Sequence, residues 1–253
     1  MSHFRCLLVD IEGTTTPISF VHEKLFPLAR ERLEDFLRLN WTRPEVQDSV
    51  QLIRQQAAAD IAAGAADCPA VPEPTGTDFG GAPVRNAVAA NVRWQMASDR
   101  KTGGLKQLQG QIWRDAFTAG QVKGAVFDDV PAAFRRCNNA GISVYIYSSG
   151  SVEAQKLIFT YSQHGDMQPM FAGNFDTAIG AKTVSDSYTR IAEQIGLPPN
   201  DILFLSDNTK EVAAAIAAGM QTAVLSRPGN APLTEQDEKQ YRVLTSFESI
   251  AAQ

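Results

Sequence analysis

The sequence predicts an α/β protein with a doubly wound parallel sheet and an inserted all-helical domain. Apolar, strand-like runs alternate with amphipathic helical patterns through the C-terminal half, an arrangement typical of a parallel sheet covered by helices. The first strand-like run is instead followed by a long stretch of helical patterns only. Polar side chains end several of the strand-like runs, at the sheet edge where such folds carry their reactive loops.

The first element is a four-residue apolar run, Cys6 to Val9, which stops at Asp10. The long stretch that follows has no convincing strand. We therefore predict a core formed by residues 1–18 and 124–253, and a helical domain at 19–123, here called the cap.

Six elements are predicted along the C-terminal half. "VSDSYTRIAEQIG" has apolar residues at helical spacing and a glycine where a helix would end. "DILFLSD" is a continuous apolar run bounded by acids, as in a strand buried on both faces. The elements are, in order, a strand ending near Tyr147, a helix from Glu153 to Gly165, a helix ending at Gly196, the strand "DILFLSD", the helix "TKEVAAAIAAGM" and the short strand in "QTAVLSRPGN".

Composition and charge narrow the function classes. The chain has 44% hydrophobic and 20% charged residues, as ordinary globular proteins do, and its net charge of −5 disfavours nucleic acid and anionic membranes as partners. Three cysteines without a CxxC pair indicate a reducing compartment. The apolar run near the N-terminus is too short for a signal peptide or a membrane span. We expect a cytoplasmic protein and, since no long apolar stripe lacks a core role, a monomer.

The residues at the strand ends suggest phosphate-ester chemistry. A carboxylate can attack phosphorus when a divalent cation and hydrogen-bond donors screen its repulsion from the anionic ester. Asp10 would be that nucleophile, and Asp10 and Asp207 could hold Mg²⁺, which prefers oxygen ligands. Glu12 could act as the proton donor and later activate water. The phosphate donors would be Ser148, Ser149, Lys182 and the backbone N–H groups of the Gly13–Thr14 turn.

Each of these features also has a purely structural explanation. Acids after a strand are often turn formers, and "AVFDDVP" in this same chain ends an apolar run in two acids. There Asp129, followed closely by Pro131, is interpreted as a helix cap. The serines could form a turn, and Lys182 could be a solvated lysine. What favours a phosphate site is that one sheet edge would gather all of these groups.

The same residues resemble a known family. "DIEGTT", a strand ending in serine, a downstream lysine and "FLSDN", in that order, resemble the four motifs of the haloacid dehalogenase superfamily of aspartyl phosphotransferases. Most phosphatases of that superfamily have DxD in the first motif, and this chain has DxE. With "TTTPISFV", "VYIYSSGSVEAQKLIF", "FDTAIGAK", "LKQLQGQIW" and "SRPGNAPLT", this departure is similar to the enolase-phosphatase family of methionine salvage, also called acireductone synthases.

The resemblance implies a Rossmann-type core and one Mg²⁺ per chain. It implies a substrate, 2,3-diketo-5-methylthiopentyl-1-phosphate, that is enolised and then dephosphorylated to an acireductone. By motif, Asp10 matches the nucleophile and a metal ligand, and Asp207 matches another metal ligand. Glu12 matches the second acid, where the family also uses the backbone carbonyl as a ligand. The residues that match substrate-phosphate contacts are Ser148, Ser149 and Lys182.

The source of the base for enolisation stays open. The longer side chain of Glu12 could reach the carbon proton beside the ester, because proton transfer is sensitive to placement at the ~1 Å level. A base from the cap is the alternative. The glycine pair Gly103–Gly104 would let Lys106 close over the substrate, or would simply form a flexible turn before an amphipathic helix.

Other residues receive structural interpretations or none. Within the cap, residues 69–83 hold four prolines and three glycines in 15 positions and predict a loop between helices. Trp94 and Trp113 are expected in the cap core, and Arg227 in a turn at the sheet edge. The two histidines His22 and His164 have no partner at metal-ligand spacing and receive no role.

Three other functions stay open. A plain phosphatase of the same fold would turn over simple esters and leave the carbon acid untouched. A hydrolytic dehalogenase also uses an aspartate nucleophile but would not need the Asp207 metal site. A non-catalytic binding protein with this fold would have no reason to crowd three acids at one strand edge.

Overall fold

The computed structural model describes residues 3–74 and 81–250, which divide into two compact units. One unit contains the described residues of Met1–Glu23 and Gly120–Gln253, and the other is formed by those of Lys24–Ala119. Part of the predicted proline- and glycine-rich loop, residues 75–80, lies outside the described residues. The function of the second unit as a cap stays a prediction.

The first unit contains a six-stranded sheet in which every neighbouring pair is parallel. The strand order is β3-β2-β1-β4-β5-β6. This is the order of a doubly wound, Rossmann-type sheet, so the predicted fold class is confirmed. The strands are β1 (Cys6–Val9), β2 (Ser143–Tyr147), β3 (Gly173–Phe175), β4 (Ile202–Ser206), β5 (Gln221–Leu225) and β6 (Val243–Leu244).

The centre of the sheet positions the candidate site. Leu8 of β1 pairs with Tyr145 of β2 on one side and with Phe204 of β4 on the other. All four residues of β1 are buried, which explains its continuous apolar sequence. The chain runs outward in one direction from β1 to β3 and in the other from β4 to β6. The crevice for a ligand therefore lies at the carboxyl ends of β1 and β4.

Helices occupy most of the remaining described chain. A π-helical turn, Val21–Leu25, separates the first two α-helices, and short 3₁₀ turns lie at Gln168–Met170 and Pro199–Asp201. None of the helices among residues 3–74 and 81–250 is long and apolar enough to cross a membrane. The α-helices are α1 (Ile18–Phe20), α2 (Phe26–Asn40), α3 (Pro44–Ala62), α4 (Ala82–Ala97), α5 (Gly103–Thr118), α6 (Asp129–Asn139), α7 (Val152–Thr160), α8 (Ser185–Ile195), α9 (Thr209–Ala217) and α10 (Glu235–Gln240).

Helices α8 and α9 cover one face of the sheet. The ring of Tyr188 in α8 packs edge-on against Phe204 of β4, with 5.0 Å between ring centroids. Helix α8 ends where Gly196 adopts a left-handed φ of +78°, as its sequence predicted. Asn208 is the N-cap of helix α9, and its side chain accepts a hydrogen bond from the Lys210 N–H. Local capping and core packing thus fix both helices.

The second unit has its own apolar core, formed by helices α2 to α5. Trp94 and Trp113 are partly buried against this core, which confirms the expected packing role of both. The indole Nε1 of Trp113 also donates to the Leu25 carbonyl oxygen at 2.8 Å. Buried residues of this core include Leu33, Leu37, Val50, Ile53, Val88, Val92, Leu105, Leu108 and Ile112.

The glycine pair Gly103–Gly104 does not form a flexible turn. Both residues belong to the first turn of α5. A Cβ atom on Gly104 would lie 2.9 Å from the backbone nitrogen of Ile53 in α3, so the glycine allows the two helices to approach closely. The interpretation of this pair as a flexible turn was therefore wrong, because both residues are helical and Gly104 serves helix packing. Closure of Lys106 over the substrate stays a prediction.

Two strands and one helix boundary differ from the sequence interpretation. Strands β3 and β6 are too short to give a strand-like pattern, and the sequence analysis missed them. Helix α7 ends at Thr160 instead of continuing to Gly165. The reason is local: the Ser162 hydroxyl accepts from the His164 N–H and donates to the Gly165 carbonyl, which satisfies backbone groups outside a helix.

Candidate active site

Asp10 lies immediately after the central strand β1 and is only 5% exposed. Its backbone N–H donates to the Leu205 carbonyl oxygen of β4 at 2.9 Å, which extends the sheet pairing by one residue. The Thr15 hydroxyl donates to the Asp10 carbonyl oxygen at 3.2 Å. The sheet and the following loop therefore hold the backbone on both sides of this carboxylate.

Lys182, in the loop before α8, places its ammonium group beside the carboxylate of Asp10. Its Nζ lies 2.6 Å from Oδ1 of Asp10 and 2.7 Å from Oε2 of Glu211, and the residue is 7% exposed. The Tyr188 hydroxyl donates to the Lys182 carbonyl oxygen at 2.7 Å and anchors the backbone of this loop. The lysine is thus a buried cation between two carboxylates, and the interpretation as a solvated lysine was wrong.

Charge keeps this lysine protonated. Burial favours the neutral amine, but the negative charges and hydrogen bonds of Asp10 and Glu211 outweigh it, so the pKa of Lys182 is raised above its ordinary value. An ammonium group has three N–H donors. The two carboxylates account for two of them, which leaves one donor for an anionic ligand.

Glu211 is a site residue that the sequence analysis missed. It lies in the first turn of α9 and is buried, and the Ser206 hydroxyl donates to its Oε2 at 2.8 Å. Burial and the nearby charge of Asp10 raise the pKa of Glu211. In the sequence, an acid in the first turn of a helix indicates no more than a favourable interaction with the helix dipole. Its position four residues after Asp207 was the available signal.

Asp207 follows β4 and touches the loop after β1. Gly13 in that loop has a left-handed φ of +70°, and a Cβ atom there would lie 2.4 Å from Oδ2 of Asp207. Only glycine allows this approach. Burial, followed by the charges of Asp10 and Glu211, raises the pKa of Asp207 to about 7. The site therefore brings Asp10, Asp207, Glu211 and Lys182 together, with more negative than positive charge.

The backbone N–H groups of the Gly13–Thr14 turn do not point to a ligand. The Gly13 N–H donates to the Thr16 carbonyl oxygen at 2.8 Å, and the Thr14 N–H donates to the Ile11 carbonyl oxygen at 3.2 Å. The prediction that these groups donate to a phosphate was wrong, because the turn closes on itself.

The two predicted serines follow β2, the neighbour of β1 in the sheet. Ser148 is buried, and its N–H donates to the Phe175 carbonyl oxygen at 3.2 Å. Its hydroxyl accepts from the Gly150 N–H at 3.4 Å. Ser149 is exposed. Since β1 and β2 are adjacent and parallel, the serines lie at the same sheet edge as Asp10.

Glu12 has a partner that the sequence analysis did not assign. Its Oε1 lies 2.7 Å from Nε2 of His22, which belongs to the π-helical turn. Both side chains are partly exposed, at 36% for Glu12 and 57% for His22. The contact joins the second acid of the first motif to a histidine ten residues later in the chain.

Side chains of the segment that follows β5 form hydrogen bonds with the backbone of the loop after β1. Arg227 Nε donates to the Thr14 carbonyl oxygen at 3.3 Å, and Asn230 Nδ2 donates to the Gly13 carbonyl oxygen at 2.9 Å. Arg227 is buried, and its guanidinium also binds Asp129 Oδ1 at 2.9 Å. The predicted turn at Arg227 is confirmed, since the Asn230 N–H donates to the Arg227 carbonyl oxygen at 3.1 Å, but its buried contacts were not predicted. The assignment of Asp129 to a helix cap was wrong, because its carboxylate binds Arg227 and the Phe247 N–H.

The donor set fits a small divalent cation. Among residues 3–74 and 81–250, no three His, Cys, Asp or Glu side chains form a preformed metal cluster. Mg²⁺ is commonly held by one or two carboxylates and completes its shell with waters and substrate oxygens. Asp10 and Asp207, in a site with surplus negative charge, meet this requirement.

Known proteins are similar to this chain over most of its length. The haloacid dehalogenase-like hydrolase family matches residues 4–219. Enolase-phosphatase E1 of Danio rerio is 50% identical over 247 residues, which cover 97% of this chain and 94% of that protein. Enolase-phosphatase E1 of Synechococcus elongatus is 44% identical, and the match covers 96% of each chain.

Solved structures are also similar to this chain. The UTR4 protein of Saccharomyces cerevisiae is similar with a TM-score of 0.77 and 32% identity, covering 98% of this chain and 100% of that one. The HAD-hydrolase YfnB from Bacillus subtilis has a TM-score of 0.53, 15% identity and coverage of 98% and 96%, a likeness of fold alone. The chain therefore belongs to the haloacid dehalogenase-like hydrolases and, within them, to the enolase-phosphatase family.

Proposed function

We propose that this protein is an Mg²⁺-dependent enolase-phosphatase that converts 2,3-diketo-5-methylthiopentyl-1-phosphate to an acireductone and phosphate. The observation that carries the proposal is the buried Asp10–Lys182 pair at the carboxyl end of β1. It occurs in a chain that matches enolase-phosphatases over nearly its full length. A buried carboxylate beside a lysine donor is suited to attack a phosphate monoester.

Asp10 is the proposed nucleophile. One of its oxygens attacks phosphorus, the bond between phosphorus and the ester oxygen breaks, and the phosphoryl group is transferred to the carboxylate while the substrate leaves with that oxygen. Lys182 holds Oδ1 of Asp10 at 2.6 Å and orients the carboxylate for attack. The remaining ammonium donor of Lys182, together with Ser148 and Ser149, would bind the phosphate oxygens and stabilise charge that develops on them.

A single Mg²⁺ is the proposed cofactor. The carboxylates of Asp10 and Asp207 and the backbone carbonyl of Glu12 would hold it. When bound, the cation screens the repulsion between the carboxylate and the phosphate. Burial and the neighbouring acids raise the pKa of Asp207, and a cation held between these carboxylates would favour their ionised forms.

Glu12 is the proposed acid and base. It would take the carbon proton beside the ester during enolisation and protonate the leaving oxygen during phosphoryl transfer. It would then activate the water that hydrolyses the phosphoaspartate and releases phosphate. The contact of its Oε1 with His22 supports a fixed position for this carboxylate.

The test uses the purified full chain with the diketo phosphate, in the presence of Mg²⁺ and then of EDTA. Phosphate release and the ultraviolet absorbance of the enediol product are followed in one cuvette. We expect both signals with Mg²⁺ and neither with EDTA. Asp10→Asn should lower phosphate release by at least about 10³-fold, because the nucleophile is lost. Asp186→Asn, at an exposed position in α8, is the matched control.

Other outcomes would identify a different enzyme. Phosphate release from simple esters without an enediol signal would make the protein a plain phosphatase of the same fold. Turnover that is insensitive to EDTA would remove the proposed metal and favour a dehalogenase-like reaction.

We also infer the setting in which the enzyme acts. The helical second unit is the proposed substrate-specificity cap, and the protein is proposed to be a cytoplasmic monomer that binds a small phosphorylated diketone, without nucleic acid or membrane partners. Its net charge of −5 supports the absence of polyanionic partners. Light scattering after gel filtration should give a mass near 27.5 kDa; twice that value would overturn the monomer.

A further inference from the structure

His22 makes a close contact with the acid on which the proposed chemistry depends. Nε2 of His22 lies 2.7 Å from Oε1 of Glu12, a hydrogen-bond distance in which the ring N–H donates and the carboxylate accepts. Pairs as exposed as this one contribute little to stability. We therefore expect the contact to determine the position of the Glu12 carboxylate and to have little effect on the stability of the fold.

The backbone at His22 is unusual in a way that supports a functional role. His22 is the second residue of the π-helical turn Val21–Leu25. Such turns are rare and occur frequently at functional sites, because the wider turn changes which side chains share a helix face. The sequence supplies a cause: Pro27 has no backbone N–H, so an uninterrupted α-helical hydrogen-bond ladder cannot run through this segment.

We propose that His22 is a positioning residue for Glu12, and that its hydrogen bond holds the carboxylate where proton transfer to and from the substrate can occur. This inference rests on the proposed function of Glu12. A glutamate side chain has three rotatable bonds and, when partly exposed, samples several rotamers. A hydrogen bond to one oxygen selects one of them, which matters because errors of ~1 Å in the placement of a proton acceptor cost up to about 10²-fold in rate.

The experiment is a set of variants of the full-length protein assayed for phosphate release. His22→Ala should lower kcat by about 10- to 100-fold and change KM by less than about two-fold, since the substrate-binding groups stay in place. His22→Gln keeps a side-chain N–H and should recover most of the lost rate. His164→Ala is the matched control, because His164 contacts Val126 and Asp128 and lies outside the site.

A double-mutant cycle tests whether His22 acts through Glu12. Glu12→Asp shortens the side chain by one methylene, which breaks the contact but keeps the carboxylate. In that background His22→Ala should change kcat by less than about two-fold, because the two changes remove the same interaction. Recovery of kcat by His22→Gln would also show that the side-chain N–H is what matters, and this test does not need the Glu12 variant.

Two results would overturn the inference. In one, His22→Ala retains the wild-type kcat within about two-fold. In the other, His22→Ala lowers kcat by the same factor in the wild-type protein and in the Glu12→Asp variant. Failure of the proposed function is separable from both, since it would appear in the wild-type protein as phosphate release without the enediol signal. The cycle on phosphate release would then still report on the contact.

Discussion

Lys182 is the buried cation of the candidate site, and its removal takes away the positive charge that lies between Asp10 and Glu211. We expect Lys182→Met to lower phosphate release by at least about 10²-fold, because orientation of the nucleophile and a phosphate donor are lost together. It should also destabilise the protein by about 3–5 kcal/mol, the cost of two uncompensated buried carboxylates. Phosphate release and urea denaturation measure the two effects.

Lys239→Met is the control for this change. Its ion pair with Glu235 is exposed on both sides, so the free energy of unfolding should change by at most about 1 kcal/mol. Equal destabilisation by the two lysine variants would contradict the account of a buried pair.

Gly13 allows the loop after β1 to approach Asp207. In Gly13→Ala the new methyl group would meet the Asp207 carboxyl group, so we expect phosphate release to fall by at least about 10²-fold. Gly141 has nearly the same φ, +73°, and nothing lies within 4 Å of its Cβ position. Gly141→Ala should therefore cost about 1–2 kcal/mol in stability and leave kcat unchanged.

The comparison of these two glycine variants separates backbone strain from steric conflict. Activity assays and thermal unfolding of both proteins provide the measurement. A loss of kcat in Gly141→Ala as large as in Gly13→Ala would show that strain alone, and no contact with Asp207, explains the effect.

At the level of residues, sequence spacing predicted which groups would come together mainly where they ended strands, although Lys182, in the loop before α8, was also predicted at the site. Asp10, Ser148 and Asp207 follow β1, β2 and β4, three neighbouring strands, so parallel pairing determines where they lie. Glu211 and His22 could not be found this way. Their places depend on the helical turn that each occupies and on the rotamer that each adopts, and neither follows from a period-two or period-3.6 pattern.

At the level of elements, helices α3 and α5 are held together through a glycine. Gly104→Ala would place a methyl group against Ile53, and we expect it to destabilise the protein by about 1–3 kcal/mol through overpacking. Gly103→Ala is a close control: it is the preceding residue, and nothing lies within 4 Å of its Cβ position. That change should be neutral or stabilising by about 0.5–1 kcal/mol, because alanine favours the helix.

Urea denaturation of the two variants tests this packing role. Equal effects on the free energy of unfolding would contradict the packing role of Gly104, because no atom lies near the Cβ position of Gly103.

The sequence predicted the long elements well and the short ones poorly. Helices α8 and α9 carry both an apolar stripe and a local capping residue, so two independent signals agree. Strands β3 and β6 contain three and two residues, and neither length can establish alternation. The turn at Arg227 was predicted, but its contacts were not: its partners Thr14 and Asp129 are 213 and 98 residues away in the chain, and the composition of a turn carries no information about such distant partners.

At the level of the whole molecule, the surplus negative charge of the site predicts stabilisation by cations. Mg²⁺ at about 100 times its dissociation constant should raise the free energy of unfolding by about 2.7 kcal/mol, because it binds the folded state only. Asp207→Asn should reduce this gain, since one proposed ligand loses its charge. Thermal unfolding with and without Mg²⁺ measures both. If Mg²⁺ left the melting temperature of the wild-type protein unchanged, this result would contradict the proposed metal site.

The strand order also has a consequence for how the protein is made. Strand β1 leaves the ribosome first, yet its two sheet partners begin at residues 143 and 202. The helical unit is one contiguous segment, Lys24–Ala119, and can bury its core before either partner has been synthesised. Asp10 is thus translated long before the strands that flank β1, and its surroundings form only after the chain has passed residue 206. A nascent chain stalled before that point would hold a folded helical unit and no hydrolase.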